Sequence, residues 1–152
     1  MHIYGRRLRG GGTNVAALAA NYSFVSLYND STIGHILRVV EWMVDAGGTS
    51  DAVAFFIPLV TGTLVSSGIQ LFSGEGLGAG SIYSGQTVVP PPFGVILSSQ
   101  GVPTIGSRDM PWFYVRPGYS LVIKNDVVNT LLVASLWWED LEPSMLDDCE
   151  AV

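Results

Sequence analysis

From Ala52 to Ser107 the sequence carries a single charged residue, Glu75. Water-exposed domains spread Lys, Arg, Asp and Glu over their surfaces. Net charge away from zero also helps to keep a chain monomeric and soluble. A run of 56 residues with one charge leaves two possibilities: it crosses a membrane, or other protein covers much of its surface. The composition favours the second. The run mixes apolar residues with Gly, Ser, Thr and Pro. Its most membrane-like part, Ala52 to Phe72, contains Pro58, Gly62, Ser66, Ser67, Gly68 and many β-branched side chains. That pattern predicts two strands about a Thr61-Gly-Thr63 turn rather than a spanning helix.

The remaining charges are segregated. Arg6, Arg7 and Arg9 lie near the start; Glu139, Asp140, Glu142, Asp147, Asp148 and Glu150 lie near the end. The sequence predicts a flexible basic arm over residues 1–12, ending in Gly10-Gly-Gly12. A β-sandwich domain follows over 13–140, then an acidic tail over 141–152. Arms of opposite charge suit docking on neighbouring subunits. The net charge of −6 disfavours binding to nucleic acid, which relies on Lys and Arg at phosphates. The apolar run Val15–Ala20 is too short, and too far behind the arginines, for a good signal peptide. One cysteine, Cys149, permits no internal disulfide.

Strand-like segments recur at short spacing. Tyr22–Tyr28 is aromatic and β-branched and ends at the turn-rich Asn29–Gly34. In His35–Val44 both alternating faces are largely apolar, as in a strand packed on two sides. Ala52–Val60, Thr63–Phe72, Val88–Val89, Phe93–Leu97 and Pro111–Val115 are further strands. Pro90-Pro-Pro92 marks an edge or a connection, because proline lacks the N–H a ladder needs. Arg116-Pro-Gly-Tyr119 has a type II turn signature. Tyr119–Asn125 alternates cleanly, and Thr130–Glu139 closes the fold. Eight to ten short strands without a helical period predict an all-β, jelly-roll-like antiparallel sandwich.

Catalytic constellations are lacking in the sequence. The two histidines, His2 and His35, cannot make the His and carboxylate cluster of a cupin metal site. His35 is expected at a surface or edge. A Ser-His-Asp arrangement would have to recruit it. Gly74–Gly80 lacks the Lys-Ser/Thr ending of a phosphate loop and reads as a loop. The spacing of Asp109 with Asp126, or of Glu139 with Asp140, does not single out an acid–base pair. Neither enzyme activity nor a cofactor nor a metal is expected.

Aromatic residues point instead to contacts. Trp137 and Trp138 are neighbours in a strand, so they face opposite ways. One fills the core, and the other meets the outer face or a partner. The same parity separates Trp112 from Phe113. With Arg6, Arg7 and Arg9, these four are the expected interface residues.

Val115-Arg-Pro-Gly-Tyr-Ser-Leu-Val-Ile-Lys-Asn125 and Asn129–Asp140, ending in Leu-Trp-Trp-Glu-Asp, resemble the closing strands of small jelly-roll virion proteins of tailed bacteriophages. Ser23–Val40 resembles their opening: a strand, an Asn-led turn, then a strand carrying Arg. The resemblance covers a third to a half of the chain. It implies a capsid cement or decoration protein at the virion surface, usually trimeric and sometimes dimeric, with the major capsid protein and its own copies as partners. A head or tail fibre adaptor is the nearest alternative. A carbohydrate-binding sandwich with an exposed aromatic platform is another.

Overall fold

The computed structural model describes residues 8–70, 78–99, 104–106 and 113–142. Twelve strands fill these segments: β1 (Leu8–Ala16), β2 (Tyr22–Tyr28), β3 (Ile36–Ala46), β4 (Ala52–Ile57), β5 (Thr63–Ser66) and β6 (Ile69–Gln70), then β7 (Ser81–Thr87), β8 (Val95–Ser98), β9 (Thr104–Gly106), β10 (Phe113–Val115), β11 (Ser120–Asn125) and β12 (Leu131–Leu141). The chain is an all-β antiparallel sandwich. One sheet has the order β10-β3-β12-β1-β6, with β9 also on β3; the other runs β5-β7-β2-β11-β4-β8.

The pairing has a mirror order along the chain. β1 pairs with β12, β2 with β11, β3 with β10 and β4 with β8. A long antiparallel ribbon folded over on itself gives this order, and it is the jelly-roll topology. β5, β6 and β7 are inserted between β4 and β8. They extend one sheet beyond β2 and the other beyond β1.

The core lies between the sheets. Leu132, Ala134, Leu136 and Trp138 from β12 meet Val25, Leu27, Ile82, Leu121 and Ile123 from the facing sheet. In β3 the inward set is Trp42, Val44 and Ala46, then Leu37 and Val39. The phase changes because Trp137 pairs with Glu41 while Trp138 pairs with Val39, leaving an extra residue on β3. This β-bulge explains why both faces of β3 read as apolar. The strand is not packed evenly on two sides; its buried face switches parity midway.

Three sequence expectations are corrected here. Residues 8–12 are not an arm: they form the first half of β1, paired residue by residue with β12. The Gly10-Gly-Gly12 run is strand rather than linker, because side chains there would collide with neighbours. A Cβ on Gly10 would press on Trp137, one on Gly11 on Ile82, and one on Gly12 on the backbone of β12. β4 and β5 are not a hairpin; they sit at opposite sides of one sheet, with β11, β2 and β7 between them. Val88–Val89 lies in a connection, while the polar segment Ser81–Thr87, which the sequence did not mark, is β7.

Those connections become straps. Residues 58–62 cross the outer face of the second sheet, where Ser120 Oγ donates to Leu59 O at 2.7 Å and Ser26 Oγ to Thr61 O at 3.4 Å. The proline segment 88–94 returns across the same face, and Lys124 Nζ donates to Val89 O at 3.2 Å. The type II turn forms as expected, with Tyr119 N–H donating to Arg116 O at 3.0 Å and Gly118 at φ +81°. Among the described residues no helix is long and apolar enough to cross a membrane.

Candidate interaction surface

Among the described residues the near-uncharged span supplies both edges of the strapped sheet and one edge of the other. β5 and β8 are the two outermost strands of the strapped sheet, and β6 is the last strand of the other. Their sequences are Thr63-Leu-Val-Ser66, Val95-Ile-Leu-Ser98 and Ile69-Gln70, all without charge. Edge strands present unpaired N–H and C=O groups, and proteins that stay monomeric usually blunt them with charges or bulges. Here β5 and β8 each carry a bulge, at Val65 and at Leu97, but no charge, and their solvent-facing side chains are apolar: Leu64, Val65, Ile69, Val95 and Ile96 are all exposed. Phe93 stands wholly free of its own chain, at 105% relative exposure. Of the seventeen exposed large hydrophobic residues among those described, eleven fall between residues 52 and 107. Scattered apolar residues are normal on any surface. Their concentration on uncharged edges and straps makes this side of the molecule the candidate surface.

The expected interface residues have different places. Arg6, Arg7 and Trp112 lie outside the described residues. Arg9, Phe113 and Trp138 are buried within this chain, which removes them from any contact made by the fold as it stands. Arg9 packs its guanidinium against Gly78. Phe113 meets Trp42 edge-on at 5.7 Å between centroids and Phe56 at 6.2 Å. Trp138 is fully enclosed, and its indole N–H donates to Ala79 O at 3.0 Å. Trp137 is half-buried beside Gly10, so the parity expected for the two tryptophans holds. The exposed edge side chains were missed because the strand order that puts β5 and β8 outermost is not written in local sequence. The absence of charge was the one signal that could have found them.

A second constellation lies at one end of the sandwich. His35, expected at a surface or edge, is buried, and its Nδ1 lies 2.6 Å from Asp140 Oδ1. The other Asp140 oxygen accepts the Ala79 N–H at 2.9 Å. Asp30 accepts from Gly80 N–H at 2.9 Å and Ser81 Oγ at 2.6 Å. Asp30, Ser31, Thr32, His35, Ala79 and Asp140 border a recess of about 180 Å³. A serine, a histidine and an aspartate are thus close, but Ser31 Oγ accepts the backbone N–H groups of Ile33 and His35. That hydroxyl is committed to its own loop. The histidine–aspartate pair ties the loop after β2 to the end of β12, and buried polar groups need such partners.

The other carboxylates considered for acid–base chemistry have structural partners too. Glu139 Oε1 accepts from Arg38 Nη2 at 2.7 Å and Nε at 3.2 Å. Asp126 accepts from the Asp51 N–H at 2.8 Å; Asp109 lies outside the described residues. Among the described residues, no three His, Cys, Asp or Glu side chains gather as metal ligands. No known protein family matches this sequence, and neither does any curated protein or solved structure.

Proposed function

We propose that this chain is a virion structural protein of a tailed bacteriophage, a cement or decoration subunit that forms a homotrimer and bridges major capsid subunits. The observation that carries the reading is the pair of uncharged, apolar edge strands, β5 and β8, on a jelly-roll sandwich. An uncharged apolar edge is a ready template for pairing with another chain, which favours its being covered. The sequence resemblance of the opening and closing strands to small phage virion proteins supplies the kind of assembly. In this account the edges and the exposed side of Trp137 form the seam between copies. Arg6 and Arg7, ahead of β1, contribute charge-complementary contacts to the shell. Binding only to the assembled shell stabilises that shell by mass action.

The test is co-expression with the major capsid protein encoded in the same genome, followed by gradient sedimentation of the shells. The protein should migrate with shells in fixed stoichiometry and raise their disassembly temperature. Recovery of shells without it, at unchanged thermal stability, would overturn the proposal.

A further inference from the structure

The two straps do not lie flat on the sheet beneath them. Between residues 58–62 on one side and the proline segment on the other they leave a cavity of about 610 Å³. Its size falls within the range of small-molecule sites, ~300–1,000 Å³. Its walls are apolar: Phe24, Phe55 and Val122 from the sheet, and Pro90, Pro91 and Pro92 from the strap. Lys124 is the one charged residue in the lining.

Lys124 is only 8% exposed. Its ammonium group offers three donors, and one goes to Val89 O. The rings of Phe24 and Phe55 lie 5.9 and 5.5 Å from Nζ, close enough for a cation–π contribution. Among the described residues no Asp or Glu lines the cavity, so the cation there has no carboxylate partner. Buried charges are ordinarily paired. Burial pushes the Lys124 amine below its ordinary value, which reflects the same lack of compensation.

The donors in the cavity also limit the anion. Three successive prolines bring no N–H group to the wall. The remaining side-chain donors are the Thr61 and Thr87 hydroxyls. One cation and two hydroxyls match a single negative charge on a small head. A phosphate dianion would need more donors than these.

We infer that the strapped cavity binds an apolar monocarboxylate, with its carboxylate on Lys124 and its hydrocarbon body between Phe24, Phe55 and the proline strap. This site stands apart from the edge strands and does not depend on the assembly reading.

Titration calorimetry on the full chain with octanoate, and with 1-octanol as the uncharged control, tests it. Octanoate should bind at least about tenfold more tightly than octanol, as expected for a charge-assisted hydrogen bond out of water. Lys124→Met should abolish that preference while leaving octanol binding in place. On the unaltered protein, octanoate affinity should fall as pH rises through the lysine titration, and octanol affinity should not. Equal binding of the two probes by the unaltered protein would overturn the inference. So would octanoate binding that survives in Lys124→Met.

Discussion

The Trp138 indole occupies the space that a side chain at Gly80 would need. A Cβ there would collide with the indole nitrogen, and one at Gly68 would collide with the far edge of the same ring. The last strand of the jelly roll is therefore locked to the inserted β5–β7 unit through one tryptophan and two glycines, Gly68 and Gly80, which precede β6 and β7. Trp138→Ala should cost about 3–5 kcal/mol in urea denaturation, the usual range for emptying a large buried aromatic. Gly80→Ala should cost about 1–3 kcal/mol by overpacking, with added strain because Gly80 holds φ +110°. Trp137→Ala, on the other face, should cost much less. Equal losses at Trp137 and Trp138 would refute the parity.

Arg38 and Glu139 form a cross-strand pair, directly opposed on β3 and β12 and both buried. Removing one partner strands the other charge away from water, so Arg38→Ala or Glu139→Ala should each cost about 3–5 kcal/mol. Arg38→Met and Glu139→Leu combined should cost clearly less than the sum of those same two changes made singly. A denaturation double-mutant cycle with additive losses would contradict this.

Lys124 gives the protein a specific pH dependence. Its folded-state pKa lies below its unfolded value near 10.5, because burial disfavours the charged form. The unfolded chain therefore binds more protons between the two values, and stability rises with pH across that window. The destabilising effect is fully present below the folded-state value and is relieved as pH rises to 10.5. Lys124→Met should be more stable than the unaltered protein at pH 7, and its advantage should shrink towards pH 10. Thermal melts at matched pH values would show it; a gap that widens with pH would contradict the assignment.

The closing third of the fold was legible because its signals are local. The Tyr119–Asn125 alternation and the Arg116–Tyr119 turn need no distant partner to be read. β1 was hidden by its glycines, which look like a linker until Trp137, Ile82 and the β12 backbone are seen to require their small size. The phase of β3 was obscured by a bulge that depends on its pairing with β12. The missing charges over residues 52–107 were visible from the start. Where they would lie depended on the crossing of 58–62 and 88–94 over one sheet, and local pattern does not encode a crossover. His35 likewise looked isolated because Asp140 is its partner only across the fold.

Charge placed on the edges should separate association from folding. Ile96→Lys on β8 and Leu64→Lys on β5 alter exposed side chains. Surface changes of this kind shift stability by about 0.5 kcal/mol or less. Both variants should lose self-association in sedimentation velocity while keeping the β-rich circular dichroism spectrum of a folded chain, with a lower midpoint because association no longer adds to stability. Loss of folding in step with loss of association would place these side chains in the core of the chain rather than at a seam.

The central claim is that the uncharged edges are covered by further copies of the chain. Sedimentation equilibrium of the full-length protein at micromolar concentration measures this directly. The account predicts a mass three times that of the 16.2 kDa chain. A single species at 16.2 kDa across the concentration range would contradict it.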